Sequence, residues 1–425
     1  MKARSRVPYA PTNALPELSE YLKPFHVQFT RPEPRQALDR YLTGLLTEHP
    51  NKNCDTLAAV VPGTSEQQLQ GLLTDMAWDQ DDLNRQRVQK MRTLPTEGDA
   101  VLIFDDTGFA KQGQHSVGVA RQYSGTLGKT GNCQVAVNCH YAERTIAWPV
   151  ATRLYLPRSW TNDAARLQKA RVPEDVAFQT KPQIALALLD DAKTWGLAWA
   201  CVTADADYGD NPNFLAGLED REQRYVVAVR CDFAVAPARR AAEPARRADA
   251  WLAELPRAAW RVVRWREGST GWLSGRFASV RCWRVTSDGK RHIGWLIGED
   301  SSDGKRRYYW SNFGPSVPLD RLVEYAHRRH WVEQFHEEAK ELLGWDQYQG
   351  RLWPGFHRHA ITVMLAYSFL VWHEWHQRQQ HPRPGRPRRA FSPSTGPTTG
   401  VTAGHPSPSQ RLVAAGSTTR GGTTG

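Results

Sequence analysis

The sequence predicts an α/β fold, because segments typical of buried strands alternate with segments of helical periodicity. Two short apolar runs each end in aspartate: VLIFDD at residues 101–106 and WACVTAD at residues 199–205. With the hairpin and helices around them, the predicted order is β, β, β, α, β, α, β, followed by one more helix. This order is typical of an α/β domain.

Length and charge narrow the class of protein further. The 425 residues exceed one ordinary core, so two or three units are expected. Lys and Arg number 55 against 44 Asp and Glu, a formal net charge of +11 that favours an anionic partner such as nucleic acid. The six cysteines form no CxxC pair, which favours free thiols. The longest apolar run, residues 360–372, is short for a membrane span, so no membrane partner is expected.

Changes in composition and in hydrophobic periodicity along the chain predict five regions. Residues 1–95 are helical, and we interpret them as a DNA-binding domain, with a helical cap on the next domain as the alternative. Residues 96–231 form the first part of the α/β core. Residues 232–320 are a β-rich insertion whose alternating Trp and Arg fit either a nucleic-acid-facing sheet or any half-buried sheet. Residues 321–376 complete the core, and residues 377–425, rich in Pro, Gly, Ser and Thr, are predicted to be disordered.

The stretch at residues 325–347, YAHRRHWVEQFHEEAKELLGWDQ, is predicted to be one amphipathic helix. A charged stripe runs beside its apolar face, with Arg329, Glu333, Glu337 and Lys340 separated by four, four and three residues. Such a stripe alone is typical of a solvated face with intrahelical ion pairs. Its importance therefore depends on carboxylates elsewhere in the chain.

Aspartates at the ends of the two apolar strands supply such carboxylates. Asp105 and Asp106 end the first strand, and Asp205 and Asp207 stand at the end of the other. Strand ends are where α/β folds place their sites, although an aspartate there is also a routine turn or helix cap. Carboxylates that converge repel each other unless a cation neutralises them. Mg²⁺ or Mn²⁺ suits such oxygen ligands, and a pair of these ions can drive in-line displacement at phosphorus.

Three features together resemble a known family: IFDDTGFAKQG on the first strand, VTADADYGD on the fourth, and the R-x3-E-x6-K spacing in the charged stripe. The chain resembles the DDE transposases, whose RNase H-like catalytic domain implies a mixed sheet flanked by helices. More narrowly, it is similar to bacterial insertion-sequence transposases with a YREK signature and a β-rich insertion before the catalytic Glu. SVGVARQYSGTLGKTGNCQ, LYLPRSW, FQTKPQ and GFHRHAITVMLAYSFL are also similar to that group, and the resemblance spans roughly Tyr41 to Trp372.

Carried over by position, the resemblance implies three catalytic metal ligands, Asp106, Asp205 and Glu333. It also implies contacts with DNA at Arg329, Lys340, Lys111, Arg121 and Lys129. The first two of these would hold the phosphates next to the cleavage site. The cofactor implied is Mg²⁺, with Mn²⁺ as a substitute and two ions bound.

Some assignments stay open between neighbours. Asp106 is preferred because it precedes Thr107, as the first aspartate of the family precedes a threonine, and because alternation along a strand puts only one of the adjacent pair on the site face. Asp105 is the alternative to Asp106, and Asp207 to Asp205. Glu337 is unassigned. The signature tyrosine would fall on Ala326 by the usual spacing, whereas Tyr325 lies one residue earlier.

The resemblance implies an enzyme that hydrolyses each transposon end and joins the exposed 3′-OH to target DNA. Its partner would be double-stranded DNA, both the terminal inverted repeats and the target. A homodimer bridging two ends and a cytoplasmic location at the bacterial nucleoid are expected. Two rivals remain: a catalytically decayed DNA-binding protein of the same fold, and a hydrolytic nuclease without strand transfer. The histidine pairs His327/His330 and His357/His359 are interpreted as packing residues, because no third zinc-ligand motif accompanies them.

Overall fold

The computed structural model describes residue 10 and residues 15–125, 128–238, 243–268, 271–301 and 304–380. Its helices are α1 Pro16–Leu22, α2 Pro32–Leu45, α3 Cys54–Val60, α4 Glu66–Thr74, α5 Gln80–Met91, α6 Arg158–Thr161, α7 Ala164–Lys169, α8 Lys181–Thr194, α9 Ala206–Gly209, α10 Pro212–Asp220, α11 Ala248–Ala253, α12 Leu319–His327, α13 His330–Glu341 and α14 Trp353–Gln380. Its strands are β1 Val101–Ala110, β2 Ala120–Ser124, β3 Lys129–Ala142, β4 Ala147–Leu154, β5 Cys201–Ala204, β6 Val226–Val229, β7 Ala234–Pro237, β8 Arg246–Arg247, β9 Arg261–Gly268, β10 Gly271–Val285, β11 Arg291–Asp300 and β12 Arg306–Ser311. Short 3-10 turns occur at Lys23–Gln28, Arg257–Ala259 and Trp345–Gln347.

The first sheet is mixed, with β1 at its centre. Strand β1 pairs antiparallel with β3 and parallel with β5, and both β2 and β4 pair with β3. A parallel bridge between Val202 and Tyr225 joins β5 to the residue before β6. Helices lie on both faces. The predicted α/β class, with a mixed sheet flanked by helices, is therefore confirmed.

The second sheet is formed by β6 and the strands of the predicted β-rich region. Its order is β6-β12-β11-β10-β7-β8, and β9 also pairs with β10. Four segments that the sequence predicts as strands, WRVVRW, GWLSGRFASVRCWRV, RHIGWLIGED and RRYYWSNF, are confirmed as β9 to β12, each antiparallel to its neighbour. Because Tyr225, the residue before β6, forms a bridge with Val202 of β5, the two sheets meet at this point.

Alternation along β1 sends its side chains to two different cores. Leu102 and Phe104 pack in the cluster that includes α8 and α10, whereas Val101 and Ile103 pack in the cluster that includes α12. The residues that follow on β1 continue this alternation, so neighbouring aspartates at 105 and 106 face different sides of the sheet.

The N-terminal helices share one hydrophobic core with α14. Buried residues from α1 to α4 cluster with the apolar side of α14 and with Phe335 of α13. The Tyr41 hydroxyl also lies 2.7 Å from Nδ1 of His359. These helices therefore pack as part of the core, while their DNA-binding role, the helical-cap alternative and the boundary at residue 95 stay predictions. Within the described ranges no helix is both long and apolar enough to cross a membrane.

The predicted continuous helix over residues 325–347 was wrong. It is divided between α12 and α13 at Arg328 and Arg329, and a left-handed Gly344 with φ +66° separates α13 from the 3-10 turn that follows. The break coincides with a buried Arg328, whose Nη2 lies 2.7 Å from Asp99 and 2.9 Å from Glu324. Periodicity missed the break because the buried residues keep helical spacing across it, from Leu322 and Tyr325 of α12 to Val332, Phe335 and Ala339 of α13. At the other end of the core, α14 continues through Gln380, so residues 377–380 are helical, and the rest of the predicted tail lies outside the described residues.

A buried arginine, Arg87 of α5, ties the helical cap to the sheet. Its guanidinium donates to the carbonyl of Pro149 at 2.6 Å, to the carbonyl of Val150 at 2.7 Å, and to Ser368 of α14 at 2.8 Å. Burial lowers its pKa to about 10. A guanidinium held by carbonyls in the interior therefore fixes the position of α5 and α14 against β4.

We expect Arg87→Met to lower the free energy of unfolding by about 3 kcal/mol, because the buried carbonyls of Pro149 and Val150 each lose a charged hydrogen bond and, among the described contacts, Val150 keeps only that from Asn84. The matched control is Arg85→Met on the same helix, whose side chain is 54% exposed and pairs only with Asp82 in the contacts described. Its effect is expected within about 0.5 kcal/mol. Urea unfolding measures both, and equal losses would contradict the structural role of Arg87.

Candidate active site

The register of two neighbouring parallel strands brings two aspartates to the same level. Phe104 of β1 pairs with Ala204 of β5, and Asp105 and Asp205 are the next residues on each chain. Adjacent strands lie about 4.8 Å apart, so the two carboxylates start from neighbouring positions. Asp205 also caps α9, where its Oδ1 accepts from the backbone N–H of Asp207 at 3.0 Å and of Tyr208 at 3.3 Å.

One guanidinium joins these aspartates to the charged stripe. Arg329 Nη1 donates to Asp105 Oδ2 at 2.8 Å, and Nη2 donates to Glu333 on the first turn of α13. Burial lowers the pKa of Arg329, but Asp105, Glu333 and Asp205 together outweigh it and leave the pKa raised. Two carboxylates thus form ion pairs with one cation, and Asp205 acts on it electrostatically from a third element.

The carboxylates of this site have less positive charge beside them than they would need to be neutralised. Burial raises the pKa of Asp105 to about 7, although Arg329 opposes the shift, and the neighbouring Asp205 adds to it. Burial and Asp207 likewise raise the pKa of Asp205, again against Arg329. A single guanidinium therefore does not neutralise the group. Oxygen ligands that share too little positive charge have the donor chemistry of a hard divalent cation site.

The carboxylates do not yet form a metal cage. Among the described residues, no group of three His, Cys, Asp or Glu side chains stands close enough to hold an ion, and Arg329 lies between Asp105 and Glu333. The donor set fits a divalent cation in kind. For such an ion to bind these oxygens, the guanidinium has to leave them.

Asp106 faces the opposite side of β1. Its Oδ2 lies 2.5 Å from Lys181 Nζ, and its Oδ1 accepts from the Tyr208 hydroxyl at 2.5 Å. Lys181 is the first residue of α8, and Tyr208 belongs to α9. The structure therefore brings Asp105, rather than Asp106, to Arg329 and Glu333. The assignment of Asp106 as a ligand stays a prediction, with its stated alternative in the better position.

Lys181 and Tyr208 were not singled out by sequence reasoning. The signal for each was present: Lys181 lies within FQTKPQ, and Tyr208 stands three residues after Asp205 in VTADADYGD. Their role could not be seen there, because it depends on which face of β1 carries Asp106.

The other predicted DNA contacts lie in two settings. Lys340 of α13 donates to the carbonyl of Gly108 at 3.1 Å, and Lys111 donates to the carbonyl of Tyr348 at 2.6 Å. Burial lowers the pKa of both lysines. Arg121 and Lys129 are instead exposed, on the paired strands β2 and β3. The described surface at β2 and β3 is thus the more accessible of the two settings.

The remaining candidates from the sequence also have definite places. Glu337 is exposed one turn beyond Glu333. The Tyr325 ring stacks on Phe313 with centroids 5.8 Å apart, and the Arg328 guanidinium lies 5.5 Å from the Tyr325 ring. The histidines of the two pairs make these contacts: His327 stacks on Trp265, His330 Nδ1 approaches the His327 carbonyl, His357 Nδ1 approaches the Trp353 carbonyl, and His359 lies between Tyr41 and the Trp345 carbonyl.

A carboxylate centre on a mixed sheet, closed by a helix that adds a glutamate, is the kind of site found in metal-dependent nucleases. The family model described as DDE superfamily endonuclease matches residues 24–271, more than half of the chain, and the protein belongs to this family. The matched range contains Asp105 and Asp205, whereas Arg329, Glu333 and Lys340 lie beyond it.

Two individual proteins are also similar to this chain. The probable transposase for insertion sequence element IS701 from Microchaete diplosiphon is 25% identical over 361 residues, which cover 82% of this chain and 84% of that protein. The cryo-EM structure of the piggyBac transposase synaptic complex with hairpin DNA is 12% identical, with a TM-score of 0.43. That similarity covers 84% of this chain and 69% of the piggyBac chain.

Proposed function

We propose that this protein is a DNA transposase that cuts insertion-sequence ends and joins them to target DNA by metal-dependent phosphoryl transfer. The observation that carries the proposal is the double ion pair of Arg329 with Asp105 and Glu333, together with the parallel register that puts Asp205 level with Asp105. Membership of the DDE superfamily endonucleases and the name of the IS701 relative support it. We infer that it acts on double-stranded DNA as a homodimer, at the nucleoid of the bacterial cytoplasm.

DDE superfamily nucleases generally use divalent metal ions. In this chain Asp105, Asp205 and Glu333 would hold Mg²⁺ or Mn²⁺, with two ions as the expected number. When bound, such ions polarise the scissile phosphate and activate the attacking water or 3′-OH. Asp106, the ligand that the sequence first favoured, is kept as the competing assignment.

The chain's own residues would divide the remaining work. Arg329 forms ion pairs with two of the three proposed ligands, so we infer that it turns away from them when the site is loaded. A guanidinium released next to the carboxylates can bind a phosphate through two parallel N–H bonds. Lys340, held against β1 at Gly108, would add a second positive charge beside the same strand.

Exposed basic residues on β2 and β3 offer a path for the DNA backbone. Arg121 and Lys129 lie on these strands with the half-exposed ring of Tyr123 between them in sequence. Cations on neighbouring strands can contact phosphates without reading sequence. We infer that this surface, the β2–β3 surface, holds DNA next to the carboxylate centre.

Replacing both Arg121 and Lys129 by Gln is expected to weaken DNA binding equally for specific and unrelated sequences, because phosphate contacts carry no base information. The plot of log binding constant against log salt concentration has a negative slope. In the double variant this slope should become less steep by about two, one unit for each lost phosphate contact. The matched control is Lys193→Gln at the far end of α8, which is also exposed. Fluorescence anisotropy between about 50 and 200 mM salt measures the slopes. An unchanged slope in the double variant would remove the β2–β3 surface from the DNA path.

The function is tested by incubating the purified protein with DNA that carries the terminal inverted repeats and Mg²⁺ or Mn²⁺. We expect nicking at the repeat ends by the wild type, none without metal, and none by Asp205→Asn. A second assay supplies pre-cut ends and a plasmid target, and joined products identify strand transfer. Cleavage without joining would favour the hydrolytic nuclease, and DNA binding without cleavage would favour the decayed protein.

A further inference from the structure

The last residue of α12, His327, is held by one side chain from each of the strands β9 to β12. Trp265 of β9 stacks on its ring, with centroids 4.0 Å apart and planes 18° apart. Phe277 of β10 meets it edge-on at 5.9 Å, and the Tyr309 ring of β12 lies 6.2 Å away. Glu299 Oε2 of β11 is 3.3 Å from His327 Nε2. We name these four partners the His327 clamp.

The clamp contains a buried charge with no place among the proposed metal ligands. Glu299 is 1% exposed and accepts a hydrogen bond from the Tyr309 hydroxyl at 2.6 Å. Burial alone would raise the pKa of Glu299, but His327 and Tyr309 lower it below its usual value. Arg307 Nη1 lies 3.9 Å from Glu299 Oε1. A buried carboxylate is costly unless its partners are fixed, so these contacts define one position for His327.

His327 stands where α12 gives way to α13. Its backbone carbonyl lies 2.8 Å from Nδ1 of His330, the first residue of α13. This contact therefore links the end of α12 to the start of α13 across the break. Arg329 follows two residues later. Tyr309 of the clamp is also near Arg329, and each affects the pKa of the other.

We propose that the sheet β9–β12 is a positioning device for the active site and that it acts through the Glu299–His327 contact. By fixing the end of α12, the clamp sets the point at which α13 begins, and so the place where Arg329 and Glu333 meet Asp105 and Asp205. His327 and Glu299 are positioning residues that touch neither the proposed ligands nor the phosphate. The expected effect of the clamp on DNA cleavage rests on the proposed function. Its expected effect on the backbone order at the helix break does not.

Two variants and one control test the proposal. Glu299→Gln keeps the shape and an acceptor for Tyr309 but removes the charge. His327→Phe keeps a ring for Trp265 but removes the imidazole nitrogen. Asp300→Asn is the control, because it is the next residue on β11, is 37% exposed and pairs with Arg306 instead.

The first measurement is hydrogen exchange of the backbone amides in residues 328–334, which does not depend on activity. We expect exchange at least about 10-fold faster in both clamp variants and unchanged exchange in the control, because the helix break loses one of its two anchors and keeps only Arg328. Exchange that rises equally across the whole chain would indicate global destabilisation only, and unchanged exchange would overturn the proposal.

The second measurement is steady-state cleavage of terminal-repeat DNA. We expect kcat to fall about 10-fold in each clamp variant while KM changes less than about twofold, and the double variant to be no worse than either single one, since both remove the same contact. Additive losses, or wild-type kcat in both variants, would overturn the proposal and leave the function standing. If the wild type itself fails to cleave, the proposed function fails, and the exchange result alone decides the clamp.

Discussion

Asp105→Asn is expected to lower the rate of metal-dependent DNA cleavage by about 10³-fold, because loss of a ligand removes several kcal/mol of transition-state stabilisation. Asp106→Asn is the matched comparison on the adjacent residue. Its amide can still accept from Tyr208 and lie beside Lys181, so we expect a loss of about 10-fold or less. Single-turnover cleavage measures both. The reverse order of effects would return the ligand role to Asp106.

A measurement of stability distinguishes the loss of a metal ligand in Asp105→Asn from misfolding of the variant. Burial raises the pKa of Asp105 to about 7, above the value of about 3.9 expected in the unfolded chain. The folded state therefore binds this proton more tightly, and the contribution of Asp105 to stability, full below about pH 4, is lost as the pH rises to about 7. An asparagine does not titrate. Without metal, Asp105→Asn should match or exceed the wild-type Tm at pH 8 and lose less stability between pH 5 and pH 8. A lower Tm at pH 8 would contradict this account.

Glu333→Gln is expected to lower cleavage by a similar factor of about 10³, since it removes the third proposed ligand. Its side chain is 54% exposed, so unfolding should change by less than about 0.5 kcal/mol. Glu337→Gln is a close control, because Glu337 is exposed one turn further along the same helix and carries the same charge.

The two glutamate variants are compared by cleavage and by Mn²⁺ binding in a titration that needs no DNA. We expect weaker Mn²⁺ binding for Glu333→Gln and wild-type binding for Glu337→Gln, whose cleavage should stay within about twofold. Equal behaviour of the two variants in both assays would remove Glu333 from the site and place the third ligand elsewhere.

Sequence alone was sufficient for features that depend on short stretches of chain. Strands β9 to β12 follow from alternation bounded by turn residues, as in Thr286–Lys290, and they were predicted within a few residues. The aspartates at 105 and 205 were recognisable because each follows an apolar strand. The stripe that contains Glu333 was recognisable from helical spacing. Periods of two and 3.6 residues are local properties, and a single sequence displays them directly.

Tertiary structure decided which of these residues meet. Alternation along the strand predicts that Asp105 and Asp106 face opposite sides of the sheet. Only the packing of α12 against Val101 and Ile103 showed which side of the sheet lies next to Glu333. The helix break depends on Arg328 and Asp99, which are far apart in the chain, and the clamp on His327 depends on four strands. Such pairings follow from long-range register and burial, which leave no periodic trace in the sequence. The chain by itself therefore determined its strands, its strand-end carboxylates and its charged stripe, and the fold selected the partners of each because a contact across the core is fixed by both surfaces together.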